Sequence, residues 1–208
     1  MRQFAFRLAL ALLIAAPAAA SAAMVGDPLV GFSADRTLSI DGHSYTGKIW
    51  AMPGEERHEQ VIAAFRPIFL LRDGSPVGEV VLPQLKTVVE FVVPPEWRLL
   101  DGRAVNRHPI GTAVVNGVAT TEYAINESVP EGHAEGMLWL SRDGIPMRIA
   151  GTFIGKRGRP TRVRWELSHV RIGPQPAALF VTPRGYTKLP AEAIAPLLGL
   201  KLKSAQPR

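Results

Sequence analysis

Between Phe32 and Ile40 apolar and polar residues alternate, with Phe32, Ala34, Leu38 and Ile40 in one phase and Ser33, Asp35, Thr37 and Ser39 in the other. A period of two sends successive side chains to opposite faces of an extended chain, so this stretch predicts a strand with one buried face. Asp41-Gly42 supplies a turn, Tyr45 to Met52 returns as a second strand, Pro53-Gly54 turns again, and Arg57 to Phe65 predicts a third. Ile68 to Arg72, Gly78 to Leu82 and Leu85 to Val93 continue the meander, separated by Asp73-Gly74-Ser75-Pro76 and Pro83. Pro94-Pro95 breaks the pattern, because neither ring nitrogen donates to a ladder and each proline restricts the residue before it. Glu96 to Leu100 then reads as a short helical turn or lid segment between two halves.

The second half opens with a hairpin, Ile110 to Val115 and Val118 to Ile125, joined through Asn116-Gly117. That dipeptide tolerates the two positive φ angles of a type I′ turn. Gly132 to Ser141, Pro146 to Lys156 and Pro160 to Ile172 follow as strands, and in the last of them Val163, Trp165, Leu167 and His169 are expected opposite Arg162, Arg164, Glu166 and Ser168. The proline-punctuated tail leaves a short helical turn over Ala177 to Phe180 and an amphipathic helix over Ala191 to Leu200, too short to persist unless it packs on the sheet. The pattern predicts a mainly β domain of about ten or eleven antiparallel strands with little helix.

The first residues fall outside this fold. Arg2 and Arg7 precede an apolar run from Leu8 to Ala16, too short to span a bilayer, and small residues fill Ala18 to Ala23. This is the arrangement of a secretory signal peptide over residues 1–23, with cleavage expected after Ala20, Ala22 or Ala23. The remaining chain, 24–208, is of a size to form one domain with its own core. Its destination is read as the periplasm. There is no Cys, which excludes disulfides, thiolate metal sites, a thiol nucleophile and the lipid-modified Cys of a lipoprotein anchor.

Removing Arg2 and Arg7 from the 24 basic residues leaves 22 against 18 acidic ones, a net charge of +4. The excess is local: Lys156, Arg157, Arg159, Arg162 and Arg164 cluster at one turn and strand, a patch suited to an acidic partner protein or an anionic membrane surface. An exported chain has little occasion to meet nucleic acid. None of the five histidines shows a metal-ligand spacing, no Ser sits in a nucleophile elbow, and Gly155 to Gly158 lacks the spacing of a phosphate loop. No cofactor, metal or catalytic residue is therefore assigned.

One ordered series of segments carries a family resemblance. It runs through Ala34-Asp35-Arg36-Thr37-Leu38, Gly47-Lys48-Ile49-Trp50-Ala51, Glu56-Arg57-His58-Glu59 and Phe69-Leu70-Leu71-Arg72-Asp73-Gly74 to Val115-Asn116-Gly117-Val118-Ala119-Thr120-Thr121-Glu122-Tyr123, Gly136-Met137-Leu138-Trp139-Leu140-Ser141 and Gly185-Tyr186. In that order the chain resembles the periplasmic outer-membrane lipoprotein-sorting proteins of the LolA/LolB-like superfamily. The resemblance implies one strongly curved antiparallel sheet, an unclosed half-barrel, with short helices covering a concave face that can hold acyl chains. It implies a soluble, non-catalytic carrier for a lipid or for the acyl chains of a lipoprotein.

For such a cleft the candidate lining is the inward phase of the strands: Leu38, Ile49, Ile62, Leu70, Val89, Phe91, Val114, Tyr123, Trp139, Ile149 and Trp165. Burying an acyl chain needs only contiguous apolar surface, at about 0.8 kcal/mol per methylene. Arg148, Arg157, Arg159, Arg162 and Arg164 are the candidates for an anionic headgroup or a protein partner. The alternative reading is an envelope interaction module whose core is filled by its own side chains and whose basic patch docks a partner.

Overall fold

The computed structural model describes residues 28–62, 64–93, 107–129, 132–156 and 158–198. The expected signal segment, the Glu96 to Leu100 turn and Arg157 lie outside the described residues. Twelve strands form one sheet: β1 (Phe32–Ile40), β2 (His43–Met52), β3 (Glu55–Gln60), β4 (Ile68–Arg72), β5 (Val77–Leu82), β6 (Thr87–Val92), β7 (Arg107–Val115), β8 (Val118–Val129), β9 (Gly132–Ser141), β10 (Pro146–Gly155), β11 (Pro160–Ile172) and β12 (Thr187–Leu189). Among the described residues one α-helix, α1, spans Ala191–Leu198. The strand order is β12-β6-β5-β4-β3-β2-β1-β11-β10-β9-β8-β7, so the two meanders are zipped together where β1 meets β11. Every pair is antiparallel except β12 with β6.

The sheet is an unclosed half-barrel, and the chain itself explains why it curls. β6 and β7 are consecutive strands ten steps apart, about 48 Å across a flat sheet at the usual strand spacing. The roughly fourteen residues between them reach about 50 Å only when fully extended. Curling shortens that path. Glycine makes the curl possible: Gly136 and Gly151 oppose one another on β9 and β10, and a Cβ on either would run into the neighbouring backbone oxygen, of Ala150 or of Glu135. Gly47 meets Glu59 O in the same way between β2 and β3. Only residues without a side chain allow strands to crease this closely.

Asn116 (φ 48°) and Gly117 (φ 83°) form the expected positive-φ turn between β7 and β8, and Asp41 (φ 49°) and Gly42 (φ 86°) do the same between β1 and β2. The β7–β8 tip reaches back over the sheet, where Asn116 Nδ2 donates to Leu167 O (2.7 Å) and Glu166 Oε1 (3.1 Å). Val115 thereby packs with Phe32, Ala34, Ile49, Met147 and Leu167 in one core cluster. A second cluster, Phe69, Val80, Leu82, Val89 and Phe91, is roofed by Ala191 and Ile194 of α1.

The structure departs from the sequence reading in four places. β3 ends at Gln60, and the chain folds back through a bridge between Ile62 and Phe65 that tucks both against the second cluster. Leu85 belongs to a short 3₁₀ turn, Pro83–Leu85, so β6 starts at Thr87. The tail contributes an unforeseen parallel strand: residues 173–186 cross the outer face, held by Arg57 Nη1 to Leu179 O (2.8 Å), by Thr182 to Glu79 and by Tyr186 against Ile68, Leu70, Val81 and Val88. β12 then extends the sheet edge and α1 turns onto the inner face. Finally, a bulge in β11 gives His169 a positive φ of 51° and sends it to the face opposite Trp165, where it bonds Asp35 (2.9 Å).

Candidate functional site

The register assigns each strand residue to a face. Leu38 pairs with Tyr45 and Trp165, Trp165 with Ile149, Ile149 with Leu138, and Leu138 with Tyr123, so one row of aromatic and branched side chains crosses the inner face. Leu138 is fully buried beneath it, while Leu38, Tyr45, Tyr123, Ile149 and Trp165 are half-buried. Ile49, Val89 and Phe91 lie on the same face but deep within the two closed clusters. Ile62 is buried there too, and Val114, 71 % exposed, sits on the outermost strand near the hairpin tip.

Leu70 and Trp139 fall on the other face. Leu70 pairs with Arg57 and packs against Tyr186 of the crossing tail; Trp139 pairs with Arg148 and Glu122 and donates its indole N–H to Glu122 (2.7 Å). Arg148, Arg162 and Arg164 share that outer face, as strand parity with Glu166 requires. Arg148 is already engaged, lying over Trp139 and bonded to Glu166 (2.9 Å). Arg159, Arg162 and Arg164 are exposed. Arg148, Arg162 and Arg164 therefore do not share a face with the apolar row.

Between the two apolar clusters the inner face carries charge that the sequence reading passed over. Arg36 sits in the apolar phase of β1, 5 % exposed, next to β2 at Gly47. Its guanidinium donates from Nη1 to His58 Nδ1 (3.0 Å) and from Nη2 to Gln60 Oε1, and lies 5.5 Å from the Trp165 ring centroid. His58 Nε2 is 2.8 Å from Glu56 Oε2, and the His58 ring meets Trp165 edge-on at 5.8 Å. Glu56, His58 and Gln60 are alternate residues of β3, hence on one face. The Trp165 indole is tethered in turn to Pro146 O (2.9 Å).

Arginine only donates, so Nδ1 of His58 must accept, and the ring is neutral with its proton on Nε2, where it donates to Glu56. The electrostatics agree. Burial draws Arg36 down to about 10, against the pull of Glu56, and leaves it charged at neutral pH. Burial likewise lowers His58, helped by the Arg36 charge and opposed by Glu56. For Glu56, burial acts upward, but the bond from His58 and the Arg36 charge outweigh it and hold the carboxyl below its ordinary value.

A pH dependence follows. The unfolded chain protonates His58 near 6.5 and the folded chain only at lower pH, so protons favour unfolding in that window and stability falls as pH drops through it. The melting temperature is expected to decline from about pH 7 to about pH 5, ahead of the carboxylates, and His58→Gln to flatten that part of the curve. A wild-type melting temperature constant over this range would contradict a buried neutral His58.

No protein-family profile and no curated protein matches the sequence. Solved structures do. MucB is 17 % identical over 78 % of this chain and 60 % of its own, with a TM-score of 0.51. The chain shares its fold with MucB. It spans only about 60 % of that protein's length. A conserved protein from Thermus thermophilus matches at 12 % identity over 77 % of this chain and 90 % of its own, TM-score 0.50. A LolA superfamily protein from Nitrosomonas europaea is also among the matches, at 11 % identity over 76 % and 92 %, TM-score 0.41. The superfamily named from the sequence is thus represented among the matched structures.

Proposed function

We propose that this chain is a non-catalytic periplasmic protein that binds or carries an amphipathic ligand, a lipid or the acyl chains of a lipoprotein. The observation that supports this reading most directly is the half-buried inner row of Leu38, Tyr45, Trp165, Ile149 and Tyr123, an apolar strip that the described residues leave incompletely covered. Each methylene laid on it leaves water at a gain of about 0.8 kcal/mol, and no directional chemistry is needed. Native mass spectrometry and lipid extraction of protein purified from the periplasm test it. The expected result is a copurifying lipid and saturable uptake of a fluorescent acyl-ester lipid; absence of both rejects the reading.

A second reading is favoured by the exposed Arg162 and Arg164 on the other side of the sheet, with the exposed Arg159 in the turn before them, and by the filled cluster beneath α1. Here the protein docks an acidic envelope partner. MucB, whose fold it shares, is known in complex with MucA(peri), and by analogy the partner would be a protein segment. Neutralising the three arginines is then expected to abolish a crosslinked complex while melting temperature is kept. Unchanged crosslinking removes this reading.

A further inference from the structure

Arg36 makes hydrogen bonds through both terminal nitrogens but not through Nε, which is buried and without a partner. An unpaired donor on a buried charged group costs about 1–3 kcal/mol or more, so native structures rarely keep one unless something else supplies an acceptor. Arg36 borders the apolar row of the inner face. The next rung of the inner face beside Arg36 is the half-buried trio Leu38, Tyr45 and Trp165. An acyl chain lying on that row would bring its first polar atom to Arg36.

We infer that Arg36 Nε is the recognition point for the carbonyl oxygen of an ester-linked acyl chain held on the inner face. This deepens the proposed carrier function and rests on it. The charge balance of the cluster selects the acceptor: Arg36 is positive, Glu56 negative and His58 neutral, so the group is already compensated. A fatty-acid carboxylate would add an uncompensated negative charge in a buried place, whereas a carbonyl oxygen matches one N–H without changing the net charge. The site therefore distinguishes esterified chains from free fatty acids and from ether-linked chains.

The test compares two lysophospholipids of equal chain length and headgroup, 1-palmitoyl-lysophosphatidylcholine and its 1-O-hexadecyl ether, binding to the full exported chain below their micelle concentrations. Calorimetry is expected to show the ester binding about tenfold more tightly, the worth of one hydrogen bond from a charged donor. In Arg36→Lys, which has no Nε–H at that position, the ratio is expected to fall towards one with ether affinity retained; should that variant fail to fold, the wild-type ratio still decides. Equal affinities in the wild type overturn the carbonyl site and leave the carrier reading standing. No binding of either lipid overturns both. Displacement of the bound ester by a triacylated lipopeptide, or by diacyl phospholipid in preference to it, tells a protein-borne ester from a membrane-lipid one, and either displacement is the expected behaviour of a carbonyl site.

Discussion

Replacing His58 with alanine is expected to destabilise the protein by about 3 kcal/mol, seen as a lower urea midpoint at unchanged slope. The side chain is 4 % exposed and is the acceptor for Arg36 Nη1. Deleting it strands a charged donor in the core beside a nitrogen that already lacks a partner. The physical cause predicts a second result, because the cost lies in leaving a buried charge unpaired and not in losing favourable contacts. Removing the network as a whole, with Arg36→Met, His58→Leu and Gln60→Leu together, is expected to be milder than His58→Ala alone, since apolar residues of similar volume replace a buried polar set at little cost. A triple variant less stable than the single one would show that the cluster is retained because it stabilises the fold.

Gly136→Val is expected to cost about 3 kcal/mol or more by the same measurement. The added side chain would overlap Ala150 O and the Gly151 backbone, and backbone in the middle of a sheet cannot swing aside as a side chain can. Gly111→Ala is the matched control. A Cβ there approaches only the Glu122 carboxylate (2.9 Å), the far end of a flexible side chain, so the change is expected to stay within about 0.5 kcal/mol. If both substitutions cost the same, the crease across β9 and β10 is not what holds the curvature. A Gly136 variant that does fold is expected to have a flatter sheet and, under the proposed carrier function, weaker lipid uptake.

Much of the architecture is legible in the chain because strand parity and turn chemistry are local. The phase shared by Phe32, Ala34, Leu38 and Ile40, the Asp41-Gly42 and Asn116-Gly117 turns and the alternation through Val163, Trp165 and Leu167 all reappear in the sheet. What escapes the pattern has equally definite causes. Ile68 to Leu71 is apolar throughout, so nothing in it tells which residues face inward, and Leu70 lies on the face opposite the one expected. Trp139 does too: its register partners are Arg148 and Glu122, although its ring also packs against the cluster containing Val115 and Met147. His169 departs from the parity of Trp165 and Leu167 because a bulge inserts one residue and inverts the alternation from that point.

The buried network is visible in part. Arg36 occupies an apolar phase between Ala34 and Leu38, and Glu56, His58 and Gln60 recur at every second position. A charge in the inward phase and a polar triplet in alternate positions are the signals available in the chain. Their meeting depends on the pairing of Ile49 with both Ala34 and His58, which no local pattern reports.

The order of the strands also governs how the chain can be completed. β1 is made first yet lies in the middle of the sheet, and its second neighbour, β11, begins only at Pro160. β6 waits longer still for β12 and α1 near the end of the chain. A chain emerging from its N-terminus therefore carries two unpaired strand edges until its last fifty or so residues are free, a period in which either edge can template pairing with another molecule. Shortening the chain from the C-terminus would prolong that vulnerable interval indefinitely.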